Sequence, residues 1–228
     1  MSIDKHIEHH LSCKVINKKT ISSGETSSFK ILTNTGLSIF AKYQVIKNNN
    51  LINQASELIL LSEIMNTPKV LGFSKNCLLL EWIETSHNSN HQKEIGRALA
   101  NLHKHTNKYF GFDYDNTIGE MPQYNAINQS ITSWSYFFWK YRLLFQIKYA
   151  LKNKLINHKE YKKLLLIKSK LENLLSSSIK PSLLHGDLWS GNIINGIINP
   201  IFIDTSCYYG HSEADLALTY MFGGFSND

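Results

Sequence analysis

Asp187 and Asn192 stand with four residues between them inside LLHGDLWSGNII, a run that is apolar at both ends. One loop can present a carboxylate and a carboxamide at that spacing. The carboxylate then faces an attacking hydroxyl, and the amide oxygen reaches a divalent cation. Gly186 and Gly191 permit tight backbone turns around the two. Twelve residues after Asn192, the apolar run IFI ends in Asp204, a hard oxygen ligand of the kind Mg²⁺ takes. Far upstream, Lys42 lies in IFAKYQV and offers a cation for phosphate oxygens. These are the parts that phosphoryl transfer from ATP needs. Singly, each has an ordinary explanation: an Asp after Gly is a turn residue, and a strand Lys is a solvated side chain. Their joint occurrence in this order carries the chemistry.

Such a loop must be held by rigid elements. FKIL and residues 37–45, separated by a turn at residues 33–36, form a predicted β-hairpin. Residues 14–22 read as a short mixed segment. Leu51, Ala55, Leu58, Ile59 and Met65 repeat near the helical period, which predicts a helix over 51–65 closed by Pro68. Residues 70–73 and 77–82 read as a second strand pair. The polar run TSHNSNHQ is a candidate linker, and beyond it Ile95, Ala98, Leu99 and Leu102 stripe a helix. A loop-rich stretch, FGFDYDNTIGEMPQYN, leads into a long aromatic and basic helical region reaching about Leu175. After the polar loop come a strand at 201–203 and a last helix from about Glu213. The fold class is therefore α+β in two lobes: β-rich residues 1–84, which bind nucleotide, and mostly helical residues 85–228, which carry the catalytic and metal loops.

Composition narrows the alternatives. At 228 residues and 43% hydrophobic, the chain can bury a core in one large domain or two lobes. No apolar run approaches the ~18 residues of a membrane-spanning helix, and the polar start lacks a secretory h-region, so no membrane partner is expected. Cys13, Cys77 and Cys207 are odd in number and far apart, which argues against a disulfide framework and for a cytoplasmic setting. The net charge of +6 invites a nucleic-acid reading. However, residues 140–180 hold eleven Lys/Arg against two acids, so the excess is local. A helix pair with a solvated lysine face accounts for it without nucleic acid.

LLHGDLWSGN, the YGHSE and MFGGF pieces of FIDTSCYYGHSEADLALTYMFGGF, and the GFD…G…PQ.N pattern of residues 111–125 resemble the fructosamine kinase / ketosamine-3-kinase family. That family is related to aminoglycoside and choline kinases within the protein-kinase-like fold. Arg142 stands where the family carries an Arg in its aromatic helix. The resemblance runs from about Ile21 to the final residues. It implies that Asp187 is the catalytic base, that Asn192 and Asp204 hold Mg²⁺, and that Lys42 contacts the α/β-phosphates of ATP. It further implies that residues 22–28, with Ser23 and Gly24, cover the phosphates, and that Glu81, Trp82 and Ile83 form the hinge beside adenine. Trp189, Tyr209, His211 and Glu213 fall on the acceptor side. The family phosphorylates the 3-hydroxyl of ketosamines, free or protein-bound, and the unstable product releases the amine. The implied role is repair of glycated amines.

Three positions depart from the family pattern. The Glu expected to pair with Lys42 is Gln54, with Glu57 three residues on. Thr205-Ser206 replace the Pro-Ala that follows the metal Asp. The sequence stops at FGGFSND, where family members continue with a further helical segment, so it reads as shortened. Two other readings stay open: a kinase of the same fold acting on an aminoglycoside or amino alcohol, and a nucleotide-binding module without catalysis. The oligomeric state is open.

Overall fold

The computed structural model describes residues 2–45, 50–86, 91–119, 121–175 and 179–226. It is a mixed α and β chain with a β-rich amino-terminal sheet and a helical carboxy-terminal part. Its contacts form two compact units, each built from separated stretches. One comprises Met1–Asn101, Leu188–Thr205 and Phe222–Asp228, and the other Leu102–Asp187 and Ser206–Met221.

The first unit opens with helix α1 (Ile3–Leu11), which the polar start did not suggest. The Ser2 hydroxyl caps it by accepting the Lys5 N–H, and Ile3 and Ile7, one turn apart, bury together. Residues 14–22, expected to be short and mixed, hold an eight-residue strand, β1 (Val15–Ser22). Its side chains are almost all exposed, so pairing of its backbone rather than an apolar face makes it a strand. β2 (Thr26–Thr33) and β3 (Ser38–Gln44) form the expected hairpin, with Gly36 at φ +82° in the turn. β4 (Val70–Phe73) and β5 (Cys77–Glu81) complete an antiparallel sheet of order β1-β2-β3-β5-β4.

Alternation along β3 decides where Lys42 goes. Ile39 and Ala41 face the core shared with Ile3, Ile7, Ile31, Cys77 and Leu79. Lys42 and Phe40 take the other face, where helix α2 (Asn50–Ser62) lays Leu51, Ala55 and Leu58 against Leu78 and Leu80. α2 stops three residues short of the expected end, because the Ile64 and Met65 N–H groups both turn back to the Leu61 carbonyl.

Residues 85–92 are not a free linker where they are described. Thr85 bridges to Gly196, the Ser86 N–H bonds the Asn195 carbonyl, and buried His91 places Nε2 3.0 Å from the Gly196 carbonyl. Residues 87–90 of that stretch lie outside the described residues. Helix α3 (Gln92–Leu102) follows.

In the second unit, the stretch expected to be loop contains a small hairpin, β6 (Asn116–Ile118) with β7 (Met121–Gln123). Three-residue strands are too short to show periodicity. The long helical region divides. α4 (Trp134–Phe138) runs through a π-helical turn (Trp139–Leu143) into α5 (Leu144–Lys152). Lys154 then adopts φ +58°, and α6 (His158–Leu165) restarts on an Asn157–Glu160 capping box before α7 (Ile167–Leu174). The lysines of α6 and α7 are exposed, as a solvated face requires. β8 (Ser182–Leu184) enters the polar loop, and helix α8 (Glu213–Phe222) ends the described elements. No helix among the described residues is long and apolar enough to cross a membrane.

The π-helical turn points Arg142 into the aromatic core. It is 6% exposed, stacks on Tyr208 and Phe137 with centroid distances of 4.3 and 5.0 Å, and donates to the Tyr124 carbonyl (2.6 Å) and Asn125 Oδ1 (2.8 Å). Burial pulls its guanidinium pKa down, and the neighbouring Tyr208 opposes that shift. Removing it strips buried acceptors of their donor. Arg142→Ala is expected to cost about 2–3 kcal/mol, read as a lower urea midpoint at unchanged slope. Arg142→Lys recovers little, lacking the planar fork.

Candidate active site

The predicted site residues divide between the two units. In the first, β9 (Ile193–Asn195) and β10 (Pro200–Phe202) form an antiparallel hairpin with Phe202 opposite Ile193. That register puts Asn192 and Asp204 at the same end, although twelve residues separate them. The Ile203 N–H donates to the Asn192 carbonyl at 3.0 Å, and Asn192 Nδ2 to the Asp204 carbonyl at 3.4 Å. Asp204 is held at φ +54°, a left-handed conformation uncommon outside glycine, though Asp takes it more readily than most.

Lys42 Nζ donates to Asp204 Oδ1 and, at 3.1 Å, to Gln54 Oε1. Gln54 Nε2 lies 3.4 Å from the same carboxylate oxygen. The choice between Gln54 and Glu57 is thereby settled in this structure: the Lys42 contact belongs to Gln54. Glu57, 1% exposed, instead accepts a 2.7 Å hydrogen bond from the Thr205 hydroxyl. The first unit thus gathers a cation, a carboxylate and two carboxamides. The Asp204 side chain keeps 41% of its surface open.

The turn holding Ser23 and Gly24 is the tip between β1 and β2. It is exposed, and Ser22 and Ser28 join hydroxyls across its base. Ser28 pairs with Lys42 in the ladder, so the tip lies just beyond the lysine along the sheet. Glu81 closes β5, and its carboxylate accepts the Lys69 N–H at 2.8 Å. Trp82 receives the Lys30 ammonium 4.0 Å from its ring centroid, with Ile83 half-buried beside it. Trp189 is half-exposed and covers Gly191, where any side chain would overlap the indole; its ring centroid is 5.7 Å from that of Phe222.

Asp187 closes the first stretch of the second unit. The turn before it is tightly specified. Gly186 has φ +83°, and a Cβ there would overlap the Ser206 carbonyl. Asp215, fully buried on α8, accepts the His185 N–H (2.9 Å) and the Gly186 N–H (3.0 Å) and lies 3.0 Å from His103 Nε2. Sequence reading missed this anchor. Its only signal is a lone acid inside the otherwise apolar stretch ADLALTYMF, which no local rule links to a loop thirty residues earlier. Tyr209 pairs its backbone with Gly111, and burial, with Asp113 nearby, raises its phenol pKa. His211 Nδ1 accepts the Glu213 N–H at 3.1 Å, and its ring lies near Trp134. The Glu213 side chain is exposed.

The family model for fructosamine kinase matches residues 1–228. The chain belongs to the fructosamine kinase family. It is 40% identical over 152 residues to a chloroplastic protein-ribulosamine 3-kinase of Arabidopsis thaliana, covering 64% of this chain and 45% of that one. A Thermobifida fusca crystal structure, provisionally named a fructosamine-3-kinase, superposes with TM-score 0.86 at 23% identity over 97% of this chain and 79% of that one. An aminoglycoside phosphotransferase superposes with TM-score 0.64 at 13% identity, over 96% and 75%. The fold of this family member is thus the protein-kinase-like one. The chain spans about half the length of the first curated relatives it matches.

Proposed function

We propose that this chain is the ATP-dependent phosphotransferase of a ketosamine 3-kinase, acting on ribulosamine or fructosamine adducts of amines or proteins. The observation that carries this reading is the hairpin-built pairing of Asn192 with Asp204, gripped by Lys42 and Gln54, in a chain matched end to end by the fructosamine kinase model. The Arabidopsis relative's name supports ribulosamines as the first acceptors to try.

The donor set suits Mg²⁺. It offers one carboxylate and one amide, and no cluster of three His, Cys, Asp or Glu stands ready for a metal among the described residues. Mg²⁺ takes few protein ligands and completes its shell with water and phosphate oxygens. Bound there, it would neutralise charge on the β- and γ-phosphates. Lys42 would swing its ammonium between Asp204 and the α/β-phosphates. The β1–β2 tip would cover them, and the backbone at Glu81, Trp82 and Ile83 would read adenine. Asp187 would take the proton of the sugar 3-hydroxyl as that oxygen bonds to the γ-phosphorus, the bond to the β–γ bridging oxygen breaks and ADP leaves. Trp189, Tyr209, His211 and Glu213 would contact the acceptor. A cytoplasmic setting and the division into lobes 1–84 and 85–228 belong to the same proposal.

The test is ADP release from Mg·ATP with ribulosyl-lysine, beside an Asp187→Ala control. Turnover abolished by the substitution supports the kinase. Turnover only with aminoglycosides or amino alcohols redirects the substrate. Nucleotide binding without transfer to any acceptor favours a binding module.

A further inference from the structure

Two departures from the family pattern, Gln54 on α2 and Thr205 after the metal carboxylate, fall on one joint between α2 and the metal loop. Gln54 and Glu57 are three residues apart on α2 and so share a face. Gln54 reaches Lys42 and Asp204, and Glu57 reaches Thr205, the next residue. One helical turn thus grips two consecutive residues of the metal loop at the point where Asp204 bends to φ +54°. Both partners of the second contact are buried, Glu57 at 1% and Thr205 at 5% exposure. A buried carboxylate is costly unless hydrogen-bonded, and a hydroxyl donated to a carboxylate is among the stronger neutral-to-charged bonds. Proline, the family residue at 205, has no hydroxyl to donate. In this chain the acidic group of α2 has therefore moved one turn along the helix, from the lysine to the loop.

We propose that Glu57 and Thr205 are a positioning pair: their hydrogen bond fixes the Asp204 turn so that its carboxylate is aimed for Mg²⁺·nucleotide, the task a direct Lys–Glu ion pair would otherwise share. The proposal rests on the kinase reading above, with Asp204 as the metal carboxylate. It assigns Glu57 no contact with substrate. It also explains why Gln54 suffices beside Lys42, since orientation of the loop no longer depends on a charge at that position.

The test is isothermal titration of AMP-PNP, with and without Mg²⁺, into the whole chain, with thermal unfolding measured in parallel. Thr205→Val removes the hydroxyl at constant shape. Because this removes a hydrogen bond from a buried carboxylate, the double variant Glu57→Leu/Thr205→Val is measured too, in which both members of the pair become apolar. Both are expected to lose on the order of 10–100-fold in Mg²⁺-dependent nucleotide affinity, the usual effect of removing an outer partner of a metal ligand, with metal-free affinity unchanged. Thr205→Ser, which keeps the donor, is expected to bind within about threefold of the parent, well inside the range such outer-shell losses span. A folded double variant that binds Mg²⁺·AMP-PNP like the parent overturns the positioning role and leaves the kinase reading standing. A parent chain that binds no Mg²⁺·AMP-PNP overturns the kinase reading, and this proposal with it.

Discussion

Asp187→Ala is expected to lower turnover on a ketosamine by about 10²–10⁴-fold, the contribution of a positioned general base, while Mg·ATP affinity stays within about twofold. The physical basis is the way the loop is built. Its backbone is pinned by groups other than the Asp187 carboxylate. The N–H groups of His185 and Gly186 are pinned by buried Asp215, and the Ser206 N–H bonds the His185 carbonyl at 2.9 Å. Removing the Asp187 carboxylate is therefore expected to delete a proton acceptor while these bonds still hold the turn. The candidate phosphate and metal residues Lys42, Asn192 and Asp204 are held by other contacts within the first unit. Single-turnover ADP release beside nucleotide titration separates the two quantities. A variant that turns over at the parent's rate would sink the assignment of Asp187 as base. One that also loses nucleotide affinity tenfold would make it a binding residue.

Gly186→Ala carries the largest expected effect on stability. The position demands φ +83°, which costs an alanine about 1 kcal/mol or more. The added Cβ would also meet backbone, not a side chain that could rotate away: the Ser206 carbonyl carbon lies 2.6 Å from it. Relief requires moving either Ser206, which would break its bond to His185, or the Asp215 anchor. A total of about 4 kcal/mol follows, in the range of the severe single substitutions. For a chain of this size that corresponds to a fall of roughly 10 °C in Tm, measurable by differential scanning calorimetry. An alanine variant melting within 2 °C of the parent, a small part of that shift, would show that the turn relaxes at little cost. Since Asp187 follows directly, partial relaxation would appear as lost turnover in a protein that still folds.

The elements whose evidence lies within a few residues could be read without coordinates. The β2–β3 hairpin, the β4–β5 pair and the core face of α2 follow from alternation, a Gly-containing turn and a 3.6-residue stripe. The spacing of Asp187 to Asn192, and the strand just before Asp204, were legible for the same reason: each is a local pattern. α1 could have been found from Ser2 and the Ile3–Ile7 spacing, but its six ionisable residues hid a short apolar stripe. β1, with no apolar face, and the three-residue strands β6 and β7 leave almost no local mark, because partners elsewhere in the chain make them strands.

What only the tertiary structure decided is who holds whom. Gln54 and Glu57 lie on one turn of α2, and nothing in the sequence divides their tasks. The geometry gives Lys42 to Gln54 and Thr205 to Glu57 across 148 residues of chain. Asp215 reads as one more acid in an apolar helix until its oxygens are seen on two backbone N–H groups about thirty residues away. Local sequence sets propensity and spacing, because those act between neighbours along the chain. The pairing of buried polar groups is set by which surfaces the packed core brings together, since a buried donor or acceptor must find its partner wherever in the chain that partner lies.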